Sequence, residues 1–239
     1  MSFYGEDLAF IHDRGFRQSV EAAPDLLAIL VRAGIAGGAV IDLGCGSGLW
    51  AKELVRAGYR VSGIDISPAM IRIAKKEVPE AKFVAGSLFD ARLGECDAVT
   101  ALGEVIGYIA EARSRRGMLR TFFRRVHDAL RPGGLFLFDV IVTPGKPMNY
   151  RYWTGGDEWV VLVEVHEDVE ARLLTRRIIT FRRRGAGYRR SEEIHLVRLF
   201  ERERIEELLR DAGFSVRATR RWGRFTLPPR RLGFQARHT

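Results

Sequence analysis

A short apolar run that ends in a glycine-rich loop is the part of this chain best suited to binding chemistry. Residues 40–48 read Val-Ile-Asp-Leu-Gly-Cys-Gly-Ser-Gly, and they open a helix-like segment at residues 49–57. Glycine permits a positive φ in a sharp turn, and without a Cβ it lets a ligand lie against the backbone. Asp65 ends a second short run about twenty residues further on, the spacing at which a strand-two acid meets a ribose diol. The loop and the acid together predict a cofactor that contains adenosine.

The spacing of the glycines bears on which adenosine cofactor is expected. A dinucleotide-binding loop follows the pattern G-x-G-x-x-G. In the register that starts at Gly44 and Gly46, the third position is Leu49, and the third glycine comes one residue early, at Gly48. This spacing disfavours a nicotinamide-dependent oxidoreductase, which stays as an alternative.

Residues 42–48, which read D-L-G-C-G-S-G, resemble the first motif of class I S-adenosylmethionine-dependent methyltransferases. The resemblance continues in G-I-D-I-S-P-A-M at residues 63–70 and in L-R-P-G-G at residues 130–134. It is strong over residues 36–140 and looser in the A-G-F segment at residues 212–214. A single glycine loop is a weak signal, whereas three motifs in order and at the family's spacing are a strong one.

Alternating strand-like and helix-like segments predict the fold. Strands are expected at residues 39–43, 60–64, 82–85, 98–102 and 135–138, with helices at 49–57, 68–77 and 116–130. Such alternation is typical of a parallel sheet covered by helices on both faces. A helix at residues 202–212, with Gly213 as its C-cap, precedes two last strands at 214–219 and 232–237. The resemblance implies an α/β, Rossmann-like sheet of seven mostly parallel strands with helices on both faces.

The sequence changes character after Pro144. Residues 158–166, 172–183 and 188–199 read as three strands joined by short turns, and the first is rich in β-branched residues. This pattern predicts an antiparallel β insertion after strand five rather than another strand–helix–strand unit.

One domain is expected to hold all of these elements. The methyltransferase domain would span residues 1–239, with a helical N-terminal segment at residues 1–36 in which Pro24 suits the start of a helix. The insertion at residues 145–200 would form a lid over the methyl acceptor, because insertions at this place are common among the small-molecule enzymes that the chain resembles. Ser67, followed by Pro68, is the expected N-cap of the helix after strand two.

By resemblance, the carboxyl ends of the first four strands hold S-adenosylmethionine, with S-adenosylhomocysteine as the product and no metal. Ligands of an open α/β sheet lie beyond these strand ends. Asp42 would serve the cofactor's ammonium group and Asp65 its ribose hydroxyls, the alternative for each acid being a loop-stabilising or N-cap role. Residues 44–48 would approach the methionine portion, and residues 86–88 the adenine edge. The full set expected at the cofactor is Asp42, Gly44, Cys45, Gly46, Gly48, Asp65, Ile66, Met70, Gly86, Ser87, Leu88, Leu102 and Gly103.

Candidate catalytic residues follow from the needs of methyl transfer. The nucleophile must lie in line with the methyl group, and a nitrogen or oxygen nucleophile can also need a general base. Strand four ends at residues 102–108, beside the expected sulfonium, so Glu104 and Tyr108 are the first candidates on the acceptor side. Their alternative roles are a buried structural acid and a core aromatic residue.

Two histidines are further candidates. His12 lies in the N-terminal segment, which folds over the cofactor in similar enzymes, and His195 lies on the last strand of the insertion. For each, the alternative is an ordinary surface or core histidine. Tyr150, Tyr152 and Trp153 could line the acceptor pocket, with packing at the edge of the insertion as the alternative.

The charge of the chain raises the question of an acidic partner. Its 239 residues carry a net charge of +9, with a sequence pI near 10.0. The excess is mostly arginine and concentrates in late runs such as residues 182–184 and 230–231. A basic balance suits nucleic acid, but no RNA-binding signature with interleaved aromatic residues accompanies it. A nucleic-acid partner is therefore a weaker alternative to solvated arginine side chains.

Composition also bears on the cellular compartment in which the protein is expected. The first residues lack the basic and apolar regions of a signal peptide, and no apolar run has transmembrane length. The two cysteines, Cys45 and Cys96, form no C-x-x-C spacing. A cytoplasmic protein without membrane contact is expected.

These observations together predict methyl transfer from S-adenosylmethionine to a nitrogen or oxygen atom of a small molecule. One alternative is an RNA or protein methyltransferase, which only the arginine excess favours. Two others come from different classes, a NAD-dependent oxidoreductase and a cofactor-binding regulator without catalysis. The chain lacks an Asn-Pro-Pro-Tyr or Asp-Pro-Pro-Tyr signature, which disfavours DNA bases and glutamine amides as acceptors. The acceptor molecule, its reacting atom and the oligomeric state stay open.

Overall fold

The computed structural model describes residues 3–16, 18–109 and 117–239. Its elements in chain order are α1 (Glu6–Gly15), α2 (Gln18–Arg32), β1 (Gly38–Leu43), α3 (Leu49–Arg56), β2 (Tyr59–Asp65), α4 (Pro68–Glu77), β3 (Lys82–Ala85), β4 (Cys96–Ala101), α5 (Met118–Ala129), β5 (Leu130–Thr143), β6 (Tyr150–Gly156), β7 (Trp159–Asp168), β8 (Leu173–Arg184), β9 (Gly187–Arg198), β10 (Phe200–Glu201), α6 (Arg202–Asp211), β11 (Phe214–Thr219), β12 (Arg221–Trp222), β13 (Phe225–Thr226) and β14 (Arg231–His238). Residue 116, the predicted start of a helix, and residues 1–2 and 17 of the predicted N-terminal segment lie outside the described residues.

Seven strands form the central sheet in the order β11-β14-β5-β4-β1-β2-β3. Strands β1 to β5 run parallel to one another, and β14 runs antiparallel to both β5 and β11. The short strand β10 pairs with the end of β5. The strand order reverses between β1 and β4, and ligands of such sheets bind outside the carboxyl ends at that point. The predicted Rossmann-like sheet of seven mostly parallel strands is confirmed.

Helices cover both faces of the sheet because its central strands are apolar on both sides. In β5, residues 135–142 are all buried, and Asp139 is the charged residue among them. Helices α5 and α6 pack on one face through side chains such as Phe122 and Leu209. Helices α2 and α3 pack on the other face through Leu26 and Trp50, among others. The predicted covering of both faces is also confirmed.

Two helix boundaries lie where their local sequence signals predict. Helix α4 begins at Pro68, and the Ser67 hydroxyl caps it by accepting a 3.1 Å hydrogen bond from the Met70 N–H. Helix α6 ends just before Gly213, whose φ of +100° is in the left-handed region that glycine favours.

Helix α2 begins before the proline that was expected to start it. The helix spans Gln18–Arg32 and contains Pro24 in its interior, so the prediction that Pro24 starts a helix is wrong. Proline has no N–H to donate to the preceding turn. Ala22, Ala23 and Leu26 are nevertheless buried in the core on this side of the sheet. Packing of the apolar face therefore overrides the preference of proline for a first turn.

Strands β6 to β9 form a separate antiparallel sheet, called the lid sheet below. In β7, Trp159, Val161 and Val163 are buried and the residues between them are more exposed, so one face of the lid sheet is apolar. The predicted antiparallel insertion after strand five is confirmed, and its three predicted strands correspond to β7, β8 and β9. Sequence patterns missed β6, because Tyr150–Gly156 is mostly exposed and does not alternate.

None of the helices in the described ranges combines the length and the apolar character needed to cross a membrane.

Candidate active site

A cavity of about 620 Å³ lies at the carboxyl ends of β1, β2, β4 and β5. This volume is in the range of ~300–1,000 Å³ that is usual for small-molecule sites. Its walls come from the strand ends, from α1, from the lid sheet and from the C-terminal segment at residues 222–231. Most of the residues predicted for the site line this cavity, and the exceptions are Gly48, Trp153 and His195.

The glycine loop, residues 44–48, turns sharply enough to present backbone to the cavity. Gly44, Gly46 and Gly48 have φ values of +70°, +54° and +84°. A Cβ at Gly46 would meet no atom within 4 Å, whereas one at Gly44 would lie 2.5 Å from Val105. A Cβ at Gly48 would contact a side chain of α4, on the side away from the cavity. Gly46 therefore leaves room for a ligand, and the other two glycines serve the turn and its packing.

Asp65, at the end of β2, ties the glycine loop to the start of α4. Its two carboxylate oxygens accept hydrogen bonds from the backbone N–H groups of Gly46, at 2.9 Å, and Ser67, at 2.8 Å. Burial raises the pKa of the Asp65 carboxyl, and these two N–H groups oppose that effect. The carboxylate lines the cavity, and each oxygen has a second lone pair. The group thus stabilises the loop and still has acceptor sites for a pair of hydroxyls.

Asp42, at the end of β1, is a buried acid with one side-chain partner. Its Oδ1 accepts a 2.7 Å hydrogen bond from the Thr100 hydroxyl, which in turn accepts one from the Trp50 indole N–H at 3.2 Å. Burial raises the pKa of the Asp42 carboxyl to about 7. Burial also raises the pKa of the neighbouring Cys45 thiol, which is therefore neutral near pH 7 and contributes to the lining by packing.

An apolar part of the lining lies beside Asp65, between α4 and the loop after β3. It includes Ile66, Met70 and residues 86–88. Arg125, on α5, fixes this loop by donating hydrogen bonds to the carbonyls of Leu88, at 2.8 Å, and Phe89, at 2.6 Å. Such a slot, with apolar walls and backbone polar groups at its edge, suits a flat heterocycle such as adenine.

Two acids and two arginines form a buried ion cluster on the other side of the glycine loop. Glu104 pairs with Arg176 at 2.7 Å and with Arg231, and Arg231 also pairs with Asp139 at 3.2 Å. Asp139 accepts the backbone N–H groups of Gly103, at 2.8 Å, and Glu104, at 3.0 Å. Gly103 and Glu104 both have positive φ, +84° and +53°. The strained turn after β4 is held by these hydrogen bonds to Asp139.

Two tyrosine hydroxyls extend this cluster into the cavity. Arg176 donates a 2.9 Å hydrogen bond to the Tyr108 hydroxyl, which lies 3.4 Å from the hydroxyl of Tyr4. Burial raises the pKa of Tyr4 well above its usual value, so its phenol is neutral. Burial also lowers the pKa of Arg231 to about 10, which still leaves it charged near pH 7.

The two candidate histidines occupy different places. His12 lines the cavity, and burial lowers its pKa to about 4, so its ring is neutral near pH 7. His195 is buried outside the lining, where its Nε2 lies 2.9 Å from Glu193 and its ring contacts Phe3 and Tyr4. The expectation that His195 faces the acceptor pocket therefore needs correction: the N-terminal turn packs over that part of β9.

Several lining residues have little or no sequence signal. Asp139 could have been found, because a lone acid in the apolar run at residues 135–142 is unusual. Arg176 and Arg231 look like the chain's many other arginines, and only the tertiary structure brings them together. Tyr150 and Tyr152 line the cavity, whereas Trp153, 72% exposed, lies on the opposite face of β6.

Comparison with known proteins identifies the family of this chain. The chain matches the model of a methyltransferase domain family over residues 14–219. The chain belongs to this family. A curated relative, the dTDP-3-amino-3,6-dideoxy-alpha-D-glucopyranose N,N-dimethyltransferase of Streptomyces fradiae, is 28% identical over 225 residues, which cover 89% of this chain and 86% of the relative.

Solved structures agree with this assignment at the level of the fold. The S-adenosylmethionine-bound amino pentose methyltransferase CalS10 of Micromonospora echinaspora has a TM-score of 0.75 and 21% identity, with 97% of this chain and 95% of that chain covered. The sugar N-methyltransferase KedS8 of a Streptoalloteichus species has a TM-score of 0.79 and 22% identity, with 100% and 97% covered. The chain is thus a class I S-adenosylmethionine-dependent methyltransferase, and its family argues against the oxidoreductase and the non-catalytic regulator.

The cavity of this methyltransferase fits S-adenosylmethionine in several respects. At Gly46, Gly86 and Gly103, which all line the cavity, a Cβ would meet no atom within 4 Å, so open backbone faces the ligand space. The buried Ser47 hydroxyl, also in the lining, has no hydrogen-bond partner among the described residues. Asp42 adds a buried acid beside the loop. A ligand with hydroxyl, ammonium and carboxylate groups would satisfy these positions.

Proposed function

We propose that this methyltransferase transfers a methyl group to a nitrogen or oxygen atom of a small molecule that binds beneath the lid sheet. The observation that carries the proposal is that one cavity combines the open glycine backbone with Glu104, Tyr108 and the inner face of the lid sheet. The relatives that methylate amino sugars support a small acceptor. We also propose that residues 1–239 form one domain, with residues 145–200 as the acceptor lid.

The cofactor-binding roles in this proposal follow from the contacts of each acid. Asp65 would accept the ribose hydroxyls with the lone pairs that its two backbone partners leave free. Asp42 would become charged beside the ammonium group, since an adjacent cation favours the carboxylate. Ser47 and the backbone at Gly46 would receive the carboxylate end. When bound, S-adenosylmethionine supplies an electrophilic methyl carbon whose leaving group is a neutral thioether.

On the acceptor side, we propose different roles for Glu104 and Tyr108. The Glu104 carboxylate is held between Arg176 and Arg231 and contacts both, so we assign it to positioning the two arginines. The Tyr108 oxygen accepts from Arg176 and lines the cavity, so Tyr108 is the residue that would contact the nucleophile. The neutral His12 ring, whose Nδ1 is unpartnered among the described residues, would accept a hydrogen bond.

An RNA or protein acceptor is a second candidate that the arginine excess alone favours. Part of that excess has a structural use: Arg182, Arg184 and Arg189, on the lid sheet, converge on Asp7 of α1. Part of the basic runs thus holds α1 against the lid sheet. Both cysteines are free and buried, in keeping with the cytoplasmic location that we propose.

Calorimetric titration of the purified protein tests the cofactor first. We expect binding of S-adenosylmethionine and S-adenosylhomocysteine and no binding of NAD. Release of S-adenosylhomocysteine in the presence of small amines and alcohols would then support a small acceptor. Binding of generic RNA with a steep dependence on salt concentration, which phosphate contacts cause, together with methylation of that RNA, would overturn it.

A further inference from the structure

We propose that the methyl acceptor is a molecule with an extended apolar body and no anionic group, in contrast to the nucleotide-linked sugars of the relatives. This inference rests on the proposed function, since it concerns the acceptor half of the same cavity. Three features carry it: an apolar wall from the lid sheet, a second apolar wall from the C-terminal segment, and an ion cluster in which both arginines are paired with acids.

The first wall is the inner face of the lid sheet. Val161 and Val163 of β7 and Ile178 of β8 line the cavity and are each at most 7% exposed. Val163 and Ile178 face each other across the two strands, so their side chains form one continuous apolar surface. Ile141 and Met148 extend this surface toward the end of β5. Such a surface offers contact area and no hydrogen bonds.

The second wall, called the hairpin wall below, consists of Trp222, Phe225, Leu227, Pro228 and Pro229. It is held rigidly: the Phe225 N–H donates a 3.1 Å hydrogen bond to Asp25 of α2. A Cβ at Gly233 would lie 2.6 Å from the Trp222 ring, so the indole packs directly on β14. The two prolines have no N–H to offer a ligand. The hairpin wall is therefore a preformed apolar and aromatic surface.

The polar groups between the walls carry no surplus positive charge. Among the described residues of the lining, the basic side chains are His12, Arg176 and Arg231. Burial keeps His12 neutral near pH 7. Both arginines pair with Glu104, and Arg231 also pairs with Asp139. A diphosphate would find no free cation among the described residues of the lining, and transferring an unpaired charge from water into such a site is strongly unfavourable.

What the cavity offers an acceptor is thus apolar area and tyrosine hydroxyls. Tyr108, Tyr150 and Tyr152 line it and can orient a nucleophilic nitrogen or oxygen by hydrogen bonds. An aromatic or alkyl amine, or a phenol, matches this lining: the body contacts the two walls and the polar atom meets the tyrosines. This is the division between apolar walls and a few polar groups that is usual for small-molecule sites.

Fluorescence binding tests the proposal on the whole protein saturated with S-adenosylhomocysteine. The probe is N-phenyl-1-naphthylamine, a neutral apolar amine, and thymidine 5′-diphosphate is the anionic competitor. We expect saturable enhancement of the probe's fluorescence, and no displacement by the diphosphate at a hundredfold excess over the probe. Phe225→Ser should weaken probe binding about tenfold, because it removes an apolar contact surface from the hairpin wall.

The matched control is Phe181→Ser, the same substitution on the outer face of the lid sheet and outside the cavity lining. It should leave probe binding unchanged. Tight binding of thymidine 5′-diphosphate, or equal effects of the two substitutions in folded protein, would overturn the proposal. Binding of S-adenosylhomocysteine without any probe binding would overturn this inference alone, whereas failure to bind S-adenosylhomocysteine would overturn the proposed function itself.

Discussion

Replacing Glu104 with glutamine removes the carboxylate on which both arginines of the cavity converge. Its side chain is 4% exposed, and those of Arg176 and Arg231 are 18% and 16% exposed. Glutamine has nearly the same size, so the substitution changes charge with little change in packing. Asp139 then remains as the acid for two guanidinium groups, and it contacts only Arg231, at 3.2 Å, among the described ion pairs.

The expected loss of stability follows from that imbalance. Removing one partner of a buried ion pair costs about 3–5 kcal/mol, because the other charge is left unpaired. The lower end applies here, since the arginines are partly exposed and Asp139 remains. We therefore expect Glu104→Gln to lower the free energy of unfolding by about 3 kcal/mol, which corresponds to roughly 6–12 °C in Tm for a chain of this size.

Urea unfolding followed by circular dichroism measures this loss. In a double-mutant cycle, the double variant Glu104→Gln/Arg176→Gln should lose less free energy of unfolding than the two single variants lose together. The difference should be at least about 1 kcal/mol. Glu164→Gln, at an exposed pair on the outer face of the lid sheet, is the control and should change stability by under about 0.5 kcal/mol. A loss below about 1 kcal/mol for Glu104→Gln, with additive single changes, would refute the pairing of the two arginines with Glu104.

The same variant separates positioning from proton transfer. If Glu104 positions the arginines, Glu104→Gln should lower the rate of transfer, keep the affinity for S-adenosylmethionine, and preserve the shape of the pH–rate profile. Loss of one ionisation from that profile would instead identify Glu104 as the general base. An unchanged rate would remove Glu104 from the transfer step altogether.

Three further predictions concern the binding of the cofactor and the contact between α4 and the N-terminal turn. Asp65→Ala should weaken S-adenosylmethionine binding by about 1.5–3 kcal/mol, or roughly 10- to 150-fold, in calorimetry. The control is Asp128→Asn, at an acid of α5 whose side chain is 79% exposed. Unchanged affinity in an Asp65→Ala protein that folds as well as this control would remove Asp65 from the ribose site. Burial raises the pKa of Asp42 to about 7, and a bound ammonium group favours its carboxylate. Binding of S-adenosylhomocysteine should therefore release a proton and tighten as the pH rises toward 7; calorimetry in buffers of different ionisation enthalpy detects the release, and Asp42→Asn should abolish it. Ser67→Ala should lower the free energy of unfolding by about 1–2 kcal/mol in urea, because it removes both the N-cap of α4 and a 2.7 Å hydrogen bond to the Tyr4 carbonyl; an unchanged unfolding midpoint would contradict both contacts.

The parts of the fold that could be predicted from sequence are those that a few neighbouring residues determine. Ser67 and Pro68 start α4, and Gly213 follows the end of α6, because caps depend on local hydrogen bonds and φ values. Residues 44–47 of the glycine loop and Asp65 line the cavity as expected, since both follow buried parallel strands of the same sheet. The carboxyl ends of parallel strands in such a sheet lie at one edge, independently of the rest of the chain.

The parts that could not be predicted depend on contacts between distant residues. Pro24 lies inside α2 because the buried face of that helix begins earlier in the chain. His195 faces inward on β9, but residues from the N-terminal turn cover it, and no local pattern reports that contact. Arg176 and Arg231 come from β8 and β14 and meet only at Glu104, so their spacing in sequence carries no signal.

The N-terminal turn links the half of the cavity that we propose for the cofactor to the half that we propose for the acceptor. The backbone N–H groups of Tyr4 and Gly5 donate to the Glu193 carboxylate of the lid sheet, at 2.7 and 2.8 Å, while the Ser67 hydroxyl at the start of α4 donates to the Tyr4 carbonyl. Tyr4 has a φ of +48°, a conformation that a residue other than glycine keeps only when its surroundings enforce it. Because one turn is bonded to both sides, weakening its contact at Glu193 should reduce the binding of cofactor and acceptor together, whereas a change at Asp65 should act on the cofactor alone.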